Sequence, residues 1–214
     1  MTTSTLTQKE RIVEQAMQMF VSQGIRAVRM DDIAQQLGVS KRTLYELFGD
    51  KERLLYLAVD CYFEQMRRQR TEACAGARNV VEAMFMVLGC VMDHADHSRR
   101  LMESLRKFYP AVYEKALRES SARGRDDLRH MLETGISQGL FIDTFNLDLA
   151  ISVLYYTASA ISERHELLLP AGMSVREAFV QIISNTFRGL STPKGMQLID
   201  ECLQRYEFSF RKKR

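Results

Sequence analysis

Apolar side chains recur every three or four residues along most of the chain, which is the spacing of helices that bury one face. The first such stripe runs from Ile12 to Val21 and stops at Gly24, a residue type that commonly ends helices. No segment shows the apolar and polar alternation of a strand, and 11 Gly and 3 Pro in 214 residues provide too few turns for many short strands. The sequence therefore predicts an all-α protein.

Overall composition excludes several classes of protein but does not identify a partner. Hydrophobic residues make up 46% and charged residues 27%, close to the averages of globular proteins and far from those of disordered chains. Thirty Lys and Arg against 27 Asp and Glu give a net charge of +3, which is too small to indicate nucleic-acid binding by itself. Such a function must follow from where the charges lie.

No segment resembles a secretion signal or a membrane span. Residues 1–10 are polar, and the apolar stretches 80–92 and 147–161 are interrupted by Glu82 and Asp148 and fall short of the roughly 20 residues that cross a bilayer. The four cysteines are far apart and form no CxxC pair: Cys61, Cys74, Cys90 and Cys202. We therefore expect a cytoplasmic protein with reduced thiols, without membrane association.

Cap residues divide the first third of the chain into short helices. The predicted elements are a first helix ending at Gly24, a second from Asp31 to Gly38, a third from Lys41 to Phe48 capped by Ser40, and a fourth from Lys51 to about Arg70 capped by Asp50. We expect these short helices to form a compact N-terminal group.

Longer helices are predicted in the remainder, for a total of about ten. They are Val80 to about Ala95 capped by Asn79, Ser98 to about Lys107, Pro110 to Gly139 with a possible break near Gly124, Leu147 to about Leu168 capped by Asn146, Val175 to Leu190 with the capping box Ser174 and Glu177, and a last helix from Pro193 that decays into the basic tail Arg211 to Arg214. We expect them to form a larger helical bundle.

Residues 33–48 have the spacing of a helix, a sharp turn and a second helix. Gly38 stands where the chain must turn between the two helices, and the second helix places Leu44, Leu47 and Phe48 at positions i, i+3 and i+4. This pattern predicts a helix-turn-helix unit whose second helix buries one face.

The opposite face of that second helix carries Lys41, Arg42, Tyr45 and Glu46. An Arg can donate two hydrogen bonds to guanine, and Lys and Tyr can bind phosphate, so three of the four suit DNA. The alternative is an ordinary solvated start of a surface helix. Cations at a helix N-terminus oppose its dipole, which favours the DNA interpretation.

The segment from Gly24 to Leu55, GIRAVRMDDIAQQLGVSKRTLYELFGDKERLL, closely resembles the DNA-binding domain of the TetR/AcrR family of bacterial transcriptional regulators. The likeness covers about Lys9 to Leu55 without a gap. It implies a helix-turn-helix domain over residues 1–50 and a helical ligand-binding and dimerisation domain over residues 51–214. It also implies a homodimer whose recognition helices enter successive major grooves of a palindromic double-stranded DNA operator.

The resemblance assigns DNA contacts to specific residues. These are Arg29, Met30, Ser40, Lys41, Arg42, Thr43, Tyr45 and Lys51, with Ser40 capping the recognition helix. The family often has Ser or Thr where Arg29 stands, a small residue at Arg42, and His or Tyr at Leu47, so phosphate contacts are expected to differ there. Glu46 is unusual beside phosphates, and its carboxylate could accept a cytosine N4 proton.

In the family, two long C-terminal helices form a four-helix bundle between subunits. The corresponding positions are Ile151, Leu154, Tyr155, Ala158, Ile161, Phe179, Ile182, Thr186, Phe187 and Leu190. The same periodicity equally predicts a core within one subunit, although a helix-turn-helix protein gains affinity by pairing two half-sites.

The middle helices would enclose the pocket for a small-molecule effector. Adaptable Met and aromatic side chains are concentrated there: Met84, Phe85, Met86, Met92, Met102, Phe108, Tyr109 and Tyr113. Each of these could instead belong to an ordinary core.

The sequence gives no support for a cofactor, a metal or catalysis. Asp93, His94, Asp96 and His97 include a carboxylate and an imidazole one helical turn apart, but two ligands do not make a site, and a solvated helix end explains them better. No nucleophile elbow, P-loop, HExxH or dinucleotide fingerprint is present, so an enzyme is not expected.

A ligand-released repressor is therefore the leading hypothesis. The alternatives are an activator, a regulator controlled by a protein partner, and a carrier of hydrophobic compounds. A carrier function would not explain why cations occur at Lys41, Arg42 and Lys51.

Overall fold

The computed structural model describes residues 7–163 and 169–211. The helices of this part of the chain are α1 (Gln8–Gln23), α2 (Met30–Leu37), α3 (Lys41–Phe48), α4 (Lys51–Cys74), α5 (Val80–Phe108), α6 (Pro110–Ser137), α7 (Leu147–Glu163), α8 (Val175–Gly189) and α9 (Pro193–Arg211). An isolated β-bridge joins Phe141 to Ser191, and the described residues include no strand. The predicted all-α fold class is confirmed.

Local capping explains why the short helices begin and end where they do. The Ser40 hydroxyl accepts a hydrogen bond of 3.0 Å from the Thr43 backbone N–H, as predicted for the N-cap of α3. Gly38 has φ 63°, the left-handed conformation that glycine adopts without a steric penalty, and ends α2. The predicted bounds of α3 are confirmed because both of its ends are determined by local residues.

The two helices predicted over residues 80–107 are one helix, so that prediction was wrong. No Gly or Pro lies between Cys90 and Tyr109, and Arg99 and Asp96 form an ion pair of 3.2 Å along the helix. The Asp93 to Ser98 segment is therefore inside α5 rather than at a frayed helix end. Its Asp93 carboxylate pairs with Arg176 of α8.

The helix α6 is continuous through Gly124, so the break left open there is absent. Gly135 also lies inside this helix, and the Phe141 ring packs directly against its backbone. A Cβ at position 135 would overlap with that ring, so any side chain there would force the ring or the helix to shift. The glycine weakens the helix locally but permits a close approach of the following loop.

Two of the sequence predictions reach beyond the described residues. The end of α7 was predicted near Leu168, and α7 is described as far as Glu163. The basic tail was predicted to reach Arg214, and α9 is described to Arg211. Those parts of the two predictions lie outside the described residues.

The chain packs as two compact units. The first contains the chain through Arg68 together with Arg100–Ser120, and the second contains Gln69–Arg99 and the chain from Ser121 onward. The sequence placed a domain boundary between residues 50 and 51. In the packing, the start of α4 belongs with the helix-turn-helix because Leu54 and Leu55 are fully buried in the core of the first unit. The boundary as a division of function stays a prediction.

The second unit is built around α7, α8 and the flanking helices. Its core contains fully buried Phe179, Leu132 and Ile199. Glu82 is also buried and accepts hydrogen bonds of 3.0 Å from Arg78 and 3.3 Å from Arg205. The Arg78 bonds are the main cause that lowers the pKa of Glu82 to about 2, so this carboxylate stays ionised at neutral pH.

Membrane spans and metal sites are both missing from the part of the chain that the structure describes. Within residues 7–163 and 169–211, none of the helices combines the length and apolar character needed to cross a bilayer. In the same residues, no three His, Cys, Asp or Glu side chains are grouped to hold a metal ion. The four cysteines are free thiols, and burial raises the pKa of Cys61, Cys74 and Cys202.

Candidate nucleic-acid interface

The helix-turn-helix presents one face of α3 to solvent because the other is packed into the core. Leu44 and Phe48 are fully buried, and α2 contributes the fully buried Ile33 to the same core. Leu47 is half-buried and packs against this cluster, as its apolar spacing predicts. A helix of eight residues has little freedom to rotate once these side chains are buried.

The exposed face of α3 carries the residues predicted to contact DNA. Lys41, Arg42, Tyr45 and Glu46 are all exposed, and Thr43 is half-buried. The Thr43 hydroxyl lies 2.7 Å from that of the capping residue Ser40. The structure therefore brings the predicted residues of α3 together on one surface.

Two ion pairs arrange the charges on this surface. Lys41 Nζ lies 2.7 Å from a carboxylate oxygen of Asp31 in α2, and Arg42 Nε lies 2.7 Å from Glu46 one turn along α3. The hydrogen bond and charge of Asp31 raise the pKa of Lys41. All four side chains are more than half exposed, so solvent screens each pair, each contributes little to stability, and another anion can readily replace the carboxylate.

Of the two residues predicted to contact DNA at the start of α2, one has an accessible side chain and the other is buried. Arg29 is exposed, and its backbone N–H donates to the Asp32 carboxylate at 2.7 Å, which fixes the first turn of α2. Met30 is only 5% exposed and belongs to the core of the first unit. The prediction is therefore corrected for the Met30 side chain, which packs inward because it begins the apolar face of α2.

Lys51 is more enclosed than its predicted phosphate contact suggests. Its ammonium donates a hydrogen bond of 2.6 Å to the Ile25 carbonyl and lies 5.9 Å from the centre of the Phe20 ring and 5.6 Å from that of Tyr109. The side chain thus joins the loop before α2 to the start of α4 and the junction of α5 and α6. A phosphate contact would have to be made in addition to these.

Sequence reasoning missed the internal partners of the two lysines. Asp31 and Lys41 are ten residues apart, a separation with no helical meaning, and only the turn at Gly38 brings them together. The contact of Lys51 with Tyr109 joins α4 to the junction of α5 and α6 and depends on packing. The Arg42 and Glu46 pair was available from the sequence, because i and i+4 side chains are neighbours on a helix.

Five of the predicted dimer residues are core residues of the subunit. Each is at most 4% exposed and belongs to the core of the second unit: Ile151, Leu154, Ile161, Phe179 and Phe187. The prediction is corrected for these five. Helical periodicity located the apolar face of α7 and α8 but not the molecule that covers it.

The remaining predicted dimer residues are partly or largely accessible. They are half-buried Tyr155, Ala158, Thr186 and Leu190 and exposed Ile182. The Tyr155 hydroxyl donates to the Ser121 hydroxyl at 2.9 Å. A second apolar stripe on α7, which sequence reasoning missed, is formed by exposed Leu149, Val153 and Tyr156.

The predicted effector residues do not share one cluster. Met84, Phe85 and Met92 belong to the second unit, where Met84 and Phe85 are buried and Met92 packs against the core, and Met86 is exposed. Met102, Tyr109 and Tyr113 pack against the core of the first unit, and Phe108 there is exposed. The structure therefore divides the predicted set between two cores.

The helix-turn-helix segment matches a known protein family. The family described as bacterial regulatory proteins, tetR family, matches residues 12–56, which include most of α1, all of α2 and α3, and the beginning of α4. No curated protein matches the chain.

Solved structures resemble nearly the whole chain at low sequence identity. A transcriptional regulator from Cytophaga hutchinsonii has a TM-score of 0.70 at 16% identity and covers 86% of this chain and 98% of its own. The fatty acid degradation regulator FadR from Bacillus halodurans has a TM-score of 0.61 at 16% identity, covering 87% and 98%. The ketosteroid transcriptional regulator KstR2 of Mycobacterium tuberculosis has a TM-score of 0.53 at 16% identity, covering 88% and 97%. At these identities the likeness concerns the fold.

We expect Lys51→Met to destabilise the folded protein by about 1 to 3 kcal/mol, because it leaves the Ile25 carbonyl without its donor and removes the charge beside two rings. The matched control is Arg53→Met, an exposed cation in the same turn of α4. Urea unfolding of both variants measures the difference. Equal free energies of unfolding for the two variants would show that the Lys51 ammonium does not stabilise the fold.

Proposed function

We propose that this chain, a member of the TetR family of bacterial DNA-binding transcriptional regulators, acts as a homodimeric repressor in the cytoplasm. Each subunit reads one half of a palindromic operator with α3. A hydrophobic or amphipathic small molecule, bound among the C-terminal helices, releases the protein from DNA.

The exposed face of α3 is the observation that carries this proposal. It presents an Arg, a Lys and a Tyr on one side of a helix whose other side is fixed by Leu44 and Phe48. A major groove accepts an α-helix, and these side chains can bind both base edges and phosphates. This face supports the proposal that α3 reads a half-site.

The ion pair of Arg42 with Glu46 supports a role in base recognition. Glu46 engages Nε, which leaves the two terminal amino groups of the guanidinium available to donate to a guanine. The pair biases the Arg42 side chain towards one orientation before binding, and this bias lowers the entropy lost when it meets a base. Glu46 is proposed here as the positioning residue for Arg42, with cytosine N4 as the second partner for its carboxylate.

We expect Arg42→Ala to reduce discrimination at one base pair of each half-site by about 1 to 3 kcal/mol. Tyr45→Ala is the control on the same face, and it should weaken binding to all operator variants alike because a phosphate contact does not read bases. Gel shifts with the DNA upstream of the protein's own gene, and with single-base variants of the bound site, compare the two. A uniform loss of affinity for Arg42→Ala would make Arg42 a phosphate contact.

The homodimer is proposed to form through the exposed apolar stripe of α7. Leu149 and Tyr156 are 62% and 61% exposed, and Val153 between them lies on the same helix face, since the three follow i, i+4 and i+7 spacing. Ile182 of α8 is exposed as well, and α7 and α8 pack against each other. Contiguous apolar surface of this kind marks an interface, and a second copy of the chain would cover it.

We expect Val153→Glu to yield monomers that bind operator weakly, since burying an unpaired carboxylate in the dimer is unfavourable. Val21→Glu is a matched control, because Val153 and Val21 are 48% and 49% exposed and Val21 lies on α1. Sedimentation equilibrium measures the association state of each variant. Dimers of unchanged affinity for Val153→Glu would show that this stripe is not the interface.

The effector is proposed to bind in the second unit, near Met84 and Phe85. The hydroxyl of Ser184 on α8 is buried, and no hydrogen-bond partner for it lies among the described residues. An amphipathic ligand could supply the missing polar partner while its apolar part contacts the surrounding core. Two structural neighbours are named for ketosteroids and for fatty acid degradation, which suits a ligand of this kind.

We expect effector affinity to fall in the presence of operator by the factor with which the effector weakens operator binding, about 5-fold to 150-fold. Calorimetry with a long-chain fatty acid and with a ketosteroid, each with and without operator, measures this. Ser184→Ala should weaken binding of the effective compound, whereas Ser152→Ala, whose hydroxyl already donates to the Asp148 carbonyl, should not. Equal affinities with and without operator would mean that the compound binds without acting as the inducer.

Activation, or control by a protein partner, is the alternative within the same family, and a reporter gene placed behind the operator distinguishes activation from repression. A hydrophobic-ligand carrier is the alternative from another class. It requires no DNA binding at all, so the gel shift separates it from the proposed repressor.

A further inference from the structure

A group of positive charges lies at the corner between α5 and α6, where it meets the loop before α2. The DNA contacts proposed for α3 do not involve these charges. The Phe108 ring is exposed, with the Arg26 guanidinium 4.6 Å and the Lys107 ammonium 5.2 Å from its centre. Arg106 beside them is also exposed. We name Arg26, Lys107 and Phe108 the corner cluster.

The two cations of the corner cluster lack anionic partners within the described residues. In that part of the chain, neither Arg26 nor Lys107 forms an ion pair, whereas Lys41, Arg42 and Arg99 each do. Attraction to the helix dipole explains why a cation such as Lys107 lies in the last turn of α5. It does not explain the position of Arg26, which lies in the loop before α2. Two like charges held against one ring therefore favour an external anion between them.

The position of the corner cluster connects it to the proposed DNA surface. Arg26 lies in the same loop as Arg29, the exposed residue at the start of α2. The Ile25 carbonyl next to it is fixed by Lys51, which itself lies 5.6 Å from the centre of the Tyr109 ring adjoining Phe108. These contacts within the first unit attach the cluster to the helix-turn-helix.

We infer that the corner cluster binds the phosphate backbone of DNA, beside the contact proposed for Arg29. The inference rests on the proposed DNA-binding function and extends the interface to residues 106–108, outside the helix-turn-helix. Duplex DNA carries closely spaced phosphates, about one charge per 1.7 Å of its axis, so a second row of cations can engage it along its length. Phe108 acts as a positioning residue that holds both cations in place.

The test measures binding of the full-length protein to a random-sequence duplex by fluorescence anisotropy over a range of salt concentrations. Arg26→Gln and Lys107→Gln should each weaken binding regardless of sequence. The slope of log K against log salt should become shallower by about 0.9 for each phosphate that the variant no longer neutralises. Phe108→Leu keeps both charges, so the slope should stay unchanged. Binding should nevertheless weaken, because the two cations lose the ring that positions them.

Lys115→Gln is the matched control. Its side chain is exposed on α6, and its ammonium also lies over a ring, 3.8 Å from the centre of Tyr56, which is not part of the corner cluster. It should leave the salt slope unchanged. Thermal unfolding of every variant distinguishes weaker DNA binding from a weaker fold.

Unchanged affinity and salt slope for both Arg26→Gln and Lys107→Gln would overturn the inference. For Arg26→Gln and Lys107→Gln, a lower unfolding temperature together with an unchanged slope would likewise overturn it, because the two cations would then only stabilise the corner. If the wild-type protein showed no salt-dependent DNA binding, the proposed function itself would fail, which is a separate result.

Discussion

An eight-residue helix packed against one core buries one face, and the burial of Leu44 and Phe48 determines which side chains α3 presents to solvent. With those two side chains fixed in the core, Arg42 and Tyr45 must point outward. The left-handed Gly38 allows the sharp turn from α2 towards α3, and the Ser40 hydroxyl accepts a hydrogen bond from the Thr43 backbone N–H at the start of α3. A flexible loop carrying the same residues would lose more conformational entropy when it bound DNA.

Contacts of a charged side chain stabilise the helix-turn-helix in addition to apolar burial. Lys51 is tied to the Ile25 carbonyl and to the Phe20 and Tyr109 rings, so a cation at the start of α4 links the loop before α2 to the junction of α5 and α6. On the exposed face of α3, the ion pair of Lys41 with Asp31 is weak, and phosphate can replace the carboxylate at little cost. An enclosed cation thus supports the domain, and exposed ones remain available to a partner.

Local signals predicted the fold and the exposed face of α3, whereas tertiary packing decided most of what was missed. The bounds of α3 and its Ser40 cap followed from neighbouring residues, as did the outward direction of Arg42. The burial of Met30 did not, because an apolar residue at a helix start can face either way. Leu154 was assigned to a dimer for the same reason, since periodicity identifies an apolar face and leaves open whether the same chain or another covers it.

Two copies of α3 are proposed to read the two halves of a palindromic site. Selection of bound duplexes from a random-sequence pool by the purified full-length protein, followed by sequencing, tests it most directly. We expect enrichment of an inverted repeat whose half-site centres are about 34 to 36 Å apart, one turn of DNA, or a multiple of that distance. Enrichment of a single unrepeated site, or of no sequence at all, would contradict it.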